Sequence, residues 1–176
     1  MILEGQMDDV KKKTILVVDD EPDIQLFLKT VLEDAEFDVM TANNGKHALE
    51  RISERKPDLI SLDLVMPKMG GVKLLSYLQK NPELAKIPFI IVTAHAHDEL
   101  GREDLMKLKA EKVIVGPHSY IEKPVIPSEY VNKVREAVGL ERIEDTGTEG
   151  LKAKVRDKLK IATKDKLQEA LKVLGE

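Results

Sequence analysis

Asp19 and Asp20 follow the aliphatic run Ile15-Leu16-Val17-Val18, and Asp63 follows Leu59-Ile60-Ser61-Leu62. Thr93 follows Phe89-Ile90-Ile91-Val92, and Lys123 closes the run from Ser119 to Glu122. Three carboxylates, a hydroxyl and an ammonium, each at the end of a candidate strand, are the parts of a chemical site if the fold gathers them. Crowded carboxylates repel and hold protons unless a cation lies among them, and an all-oxygen ligand set favours Mg²⁺ over softer metals. A carboxylate beside such an ion can attack an incoming phosphoryl group while the ion and a lysine spread the charge that builds on its oxygens. Asp63 is the candidate nucleophile. Singly, each residue has a plainer reading: Asp19 and Asp20 suit a helix start, Asp63 a turn, and Lys123 a solvated surface. Thr93 alone says little, because threonine is frequent in strands.

The elements that must position these residues alternate along the chain. Helical periodicity begins at Pro22, which suits a first helical position, with Ile24, Phe27, Leu28, Val31 and Leu32 in one stripe. Phe37 to Thr41 reads as a second strand, Asn43-Asn44-Gly45 as a turn, and Ala48, Leu49 and Ile52 as the apolar side of a second helix. Met66-Pro67-Lys68-Met69-Gly70-Gly71 is a loop before a helix from Val72 to Gln79. A polar helix is expected from about Asp98 to Lys109, a fifth strand from Ser119 to Glu122, and a last helix from about Ser128 to Val138. Strands and helices in strict alternation imply an α/β, doubly wound, five-stranded parallel sheet flanked by five helices. In such a sheet the ligand site lies beyond the carboxyl ends of the central strands, where the five chemical residues would converge.

Composition sets the outer bounds. The chain has 176 residues, 42% hydrophobic and 34% charged, which suits one globular core with an appendage and excludes a disordered chain. Charges interrupt every apolar run, so no membrane span is expected. Glu4, Asp8 and Asp9 break any signal-like start, and the lack of cysteine removes disulfides and thiolate metal sites, so a cytoplasmic protein is expected. Aromatic residues make up 3%, too few for base-stacking surfaces, and nucleic acid is not an expected partner. From Leu151 onward eight basic residues face four acidic ones, which leaves −8 for the preceding part of a chain whose net charge is −4. The run from Glu144 to Gly150 reads as a linker.

At four positions the sequence resembles the response-regulator receiver family: Ile15-Leu16-Val17-Val18-Asp19-Asp20-Glu21-Pro22; Asp63 with Met66-Pro67; Thr93-Ala94; and Tyr120-Ile121-Glu122-Lys123-Pro124. The match runs from about Lys13 to Val138, and its specificity lies in four ordered motifs, each at the end of a predicted strand. The resemblance implies a strand order of 2-1-3-4-5 and a phosphoryl group accepted on Asp63 from a histidine kinase or phosphotransfer protein. It also implies an Mg²⁺ ion held by Asp19, Asp20, Asp63 and the backbone carbonyl of Val65. Lys123 and the Thr93 hydroxyl would meet the phosphoryl oxygens, with the peptide bond to Pro124 cis. Phosphorylation would draw Thr93 inward and let Tyr120 turn, changing the face formed by the fourth predicted helix, the fifth strand and the last helix. The protein would catalyse its own modification without being a turnover enzyme, and would signal to an output partner that the sequence does not identify.

Several features lie outside that pattern. Gly70 stands where many receivers carry an acid, and Thr93 and Lys123 are thirty residues apart, longer than is usual, with the excess around Leu105 to His118. His95 and His97 read as solvated loop residues more readily than as metal ligands, although His95 and Val65 stand where receivers line the water path to the phosphoryl group. His47 and His118 have no assigned role. Residues 1–12 form an N-terminal extension, 13–140 the receiver domain, 141–150 the linker and 151–176 a short, basic helical extension. Two apolar stripes in that tail, Leu151-Val155-Leu159-Ala162 and Leu167-Ala170-Leu171-Leu174, suggest two short helices packed on the acidic body or a second copy in a homodimer. Two other functions compete with the receiver reading. A transcriptional regulator would bind DNA through the tail; an aspartyl-phosphate phosphatase would need a second acid where Val65 stands.

Overall fold

Strands covered by helices on both faces must be apolar on both, and β1 (Thr14–Val18) and β3 (Leu59–Leu62) are buried along their whole length. The computed structural model describes residues 12–94, 106 and 120–143. In it β1 and β3 join β2 (Asp38–Ala42), β4 (Phe89–Thr93) and β5 (Tyr120–Glu122) in one parallel sheet of order β2-β1-β3-β4-β5. Helices α1 (Pro22–Asp34), α2 (Gly45–Glu54), α3 (Gly71–Gln79) and α4 (Pro127–Ala137) connect and flank the strands. Four helices therefore lie among the described residues. Apart from Met106, the polar helix expected near Asp98 to Lys109 falls outside them, as do His95, His97, His118, the linker from Glu144 and the tail.

Alternation along β1 divides the core in two. Leu16 and Val18 join Met40, Ile60, Leu62, Leu74, Leu75, Leu78 and Ile91 in one layer, whereas Ile15 and Val17 join Leu28, Leu32, Leu59, Ile90, Val92, Tyr130 and Val134 in the other. Each fully buried aliphatic side chain contributes roughly 1.5–3 kcal/mol, so these two layers fix the sheet between the helices.

Local signals end the helices. Asn44 caps α2, its Oδ1 accepting the Lys46 and His47 backbone N–H groups at 2.9 and 3.0 Å. At the end of α1, Glu36 takes a positive φ of 66°, the Phe37 N–H returns to the Leu32 carbonyl at 3.0 Å and the Glu36 N–H to Glu33 at 3.0 Å. Phe37 is thereby drawn back to the helix, and β2 runs from Asp38, one residue later than its apolar pattern suggests. Gly139 ends α4 in the same way, with φ 77° and the Leu140 N–H on the Arg135 carbonyl at 2.8 Å. Past that turn the chain doubles back along α4. The Asn132 side chain pairs with both backbone groups of Ile143, accepting at 2.8 Å and donating at 3.3 Å, and Arg142 pairs with Glu136 at 3.0 Å.

Candidate active site

The ends of β1 and β3 are tied side by side: the Asp63 N–H donates to the Val18 carbonyl at 2.9 Å, and the Asp19 N–H to the last residue of β2, Ala42, at 3.0 Å. Asp19 and Asp63 follow directly on buried strands and are themselves 1% and 4% exposed. Asp20, one residue further into the turn, is half-buried. One oxygen from each of the three carboxylates lies within 4.8 Å of the others.

Lys123 enters from the end of β5. Its backbone N–H donates to the Thr93 carbonyl at 3.0 Å, and its peptide bond to Pro124 is cis. The ammonium lies 2.8 Å from Asp19 Oδ2, 3.1 Å from Asp63 Oδ2 and 3.2 Å from Glu21 Oε1. Burial by itself favours the neutral amine, but the hydrogen bonds and charges of Asp19 and Asp63 prevail and raise the Lys123 pKa above its ordinary value. Asp19 is also shifted upward, chiefly by burial and further by the Asp63 charge, against the opposing pull of Lys123 and the Glu21 N–H. Asp19 Oδ2 is sealed from solvent, and its partner among the described residues is the Lys123 ammonium. A hard divalent cation suits such a set: three carboxylate oxygens within 4.8 Å of one another against one buried ammonium.

The remaining candidates lie on β4, on β5 and in the turn after β3. Thr93 is fully buried at the end of β4. Val65 turns its backbone N–H to Asp63 Oδ1 at 3.3 Å. The Tyr120 ring packs on the layer containing Ile60 and Ile91, and its hydroxyl is buried with no hydrogen-bond partner among the described residues. Burial first, and Glu122 second, raise its pKa.

A response regulator receiver domain profile matches residues 15–135. The chain belongs to the receiver family. Among its relatives, the phosphate regulon transcriptional regulatory protein PhoB of Pseudomonas aeruginosa is 37% identical over 123 residues, 70% of this chain and 50% of PhoB. The chemotaxis protein CheY of Thermotoga maritima is 32% identical over 126 residues, 69% of this chain and 97% of CheY. The signal receiver domain of a histidine kinase from Syntrophus aciditrophicus superposes with a TM-score of 0.63 at 29% identity, covering 77% of this chain and 97% of that one. The chain thus spans about half the length of PhoB and nearly all of CheY. It contains the receiver domain of a two-component response regulator, and among its described residues no helix is long and apolar enough to cross a membrane.

Four supports of this receiver site are not predicted by the sequence pattern. Glu21, next to the acidic pair, reaches Lys123. Gln25 donates from its side-chain amide to the Asp19 and Ala42 carbonyls. Gly71 packs so closely under the loop that a Cβ there would collide with the Asp63 carbonyl oxygen, which makes glycine a steric requirement. Tyr130 donates its hydroxyl to Ser61 Oγ at 2.8 Å, two residues before Asp63. Only the double glycine Gly70-Gly71 gave any sequence signal, as a backbone that must pass close to something.

Proposed function

We propose that Asp63 accepts a phosphoryl group from a phosphohistidine of a histidine kinase or phosphotransfer protein. The observation that carries this reading is the Lys123 ammonium, 3.1 Å from Asp63 Oδ2 and 2.8 Å from Asp19 Oδ2 at the mouth of the sheet. An Asp63 oxygen attacks phosphorus as the P–N bond to the donor imidazole breaks, and the ring nitrogen keeps the bonding pair. Lys123 and the Thr93 hydroxyl stabilise the phosphoryl oxygens. Asp19, Asp20, Asp63 and the Val65 carbonyl are the residues that would hold Mg²⁺. When bound, the ion offsets the negative charge shared by the acids and the phosphoryl group. The domain in this reading promotes its own phosphorylation and dephosphorylation, with Val65 lining the approach of water.

The added charge, about two units, draws Thr93 toward the phosphoryl group and gives Tyr120 room to turn. The buried Tyr120 hydroxyl, without a partner among the described residues, supports this step, because a polar group without a hydrogen bond favours a rotamer that supplies one. Residues 13–140 form the receiver, and 141–150 link it to the basic tail 151–176. The output partner binds the face containing β5 and α4. PhoB is named as a transcriptional regulator and CheY as a chemotaxis protein, so output differs among relatives.

Acetyl phosphate with Mg²⁺ is expected to add one phosphoryl group to the wild-type chain, read by intact mass, and beryllium fluoride to occupy the same site. Asp63→Asn is expected to abolish both while keeping the wild-type circular dichroism. Equal uptake by the variant overturns the assignment.

A further inference from the structure

Asp19 is held at each of its acceptor atoms, and one of the groups holding it has no part in the chemistry above. Its Oδ1 accepts the Glu21 N–H at 3.0 Å, and its Oδ2 lies 2.8 Å from Lys123 Nζ. Its backbone carbonyl accepts from the side-chain amide of Gln25, in the second turn of α1. The same amide nitrogen donates to the Ala42 carbonyl at 3.0 Å, the oxygen that also accepts the Asp19 N–H.

Asp19 stands one residue past β1, and Ala42 is the last residue of β2. Gln25 therefore clamps the two strand ends where their ladder stops. Just beyond, the chain must turn through Asp20 and Glu21 into a helix that opens on Pro22, which has no N–H to give. A primary amide suits this place because it offers two protons from one nitrogen and adds no charge that would repel a cation. Methionine has the length without the donors. Glutamate has the shape but sets a carboxylate against two carbonyl oxygens.

We propose that Gln25 is a positioning residue for the metal-binding turn: by fixing the Asp19 and Ala42 carbonyls it sets the direction of the Asp19 and Asp20 carboxylates and hence the affinity for Mg²⁺. This rests on the reading of Asp19, Asp20 and Asp63 as the cation site. Substitutions of groups that orient metal ligands typically weaken binding about 10–100-fold, and the lower end is the expectation here because Glu21 and Lys123 still hold the side chain.

Titration of the full-length protein with Mg²⁺ alone, followed by amide shifts of residues 19–21 and by calorimetry, tests the proposal. Gln25→Met and Gln25→Glu are each expected to weaken Mg²⁺ binding about tenfold, and to speed exchange of the Asp19 amide in metal-free protein. Glutamate gives the sharper outcome. If Gln25 acted only through charge, an added carboxylate would tighten Mg²⁺ binding, whereas a lost clamp weakens it. Mg²⁺ affinity in Gln25→Glu equal to or above wild type overturns the proposal. So does a loss of metal-free stability in both variants with Mg²⁺ affinity unchanged. Failure of the site reading looks different: wild type then shows no saturable Mg²⁺ binding that Asp20→Asn removes.

Discussion

Tyr130 and Ser61 form a polar pair inside an otherwise apolar layer, with the phenol fully buried and its hydroxyl 2.8 Å from Ser61 Oγ. Burial chiefly, and the Asp19 carboxylate in addition, raise the tyrosine pKa above its ordinary 10.0, against the opposing effect of Ser61. The folded state thus keeps a proton that the unfolded chain loses above pH 10, so this group's contribution to stability falls as pH rises past that point. Tyr130→Phe keeps the ring and removes the bond. It is expected to cost about 1 kcal/mol at pH 7, and the gap to wild type should narrow at pH 11, where wild type alone carries the ionisation penalty. Urea unfolding at the two pH values checks this. A gap that stays constant refutes the pKa argument and leaves the hydrogen bond as the only effect.

Helices α1 and α4 end in the same hydrogen-bonded turn but fill its left-handed position differently, with Glu36 at φ 66° and Gly139 at φ 77°. A side chain is disfavoured there because its Cβ crowds the following carbonyl. Glu36→Gly is therefore expected to stabilise the protein by about 0.5–1 kcal/mol, and Gly139→Ala to destabilise it by about 1 kcal/mol. Thermal unfolding midpoints moving in opposite directions bear this out. The same turn explains the boundary of β2. Phe37 looks like the first apolar residue of a strand, but its N–H closes α1 and its ring is buried beside Leu32. Local pattern could not separate these outcomes, because an aromatic residue after a helix suits both a strand start and a helix-closing contact.

At the scale of the whole molecule, folding brings Asp19, Asp20 and Asp63 together, a concentration of charge that one lysine balances incompletely. Any cation bound there stabilises the native state alone. Mg²⁺ at a hundred times its dissociation constant is expected to add about 2.7 kcal/mol to the unfolding free energy of wild type, and little to that of Asp20→Asn, as read by urea unfolding with and without Mg²⁺. Equal gains in both proteins would place the cation elsewhere. The sequence by itself determined the sheet and the gathering of Asp19, Asp63 and Lys123. Strands covered on both faces must be apolar throughout, and right-handed crossovers leave their carboxyl ends at one edge, so the polar residue closing each run has one destination. The tertiary structure alone decided which neighbours hold those residues in place. Gln25 reaches two carbonyls, Gly71 lies against the Asp63 backbone, and Tyr130 meets a serine 69 positions away. Such contacts depend on rotamers and on backbones passing within van der Waals distance, and neither quantity leaves a period or a spacing in the chain.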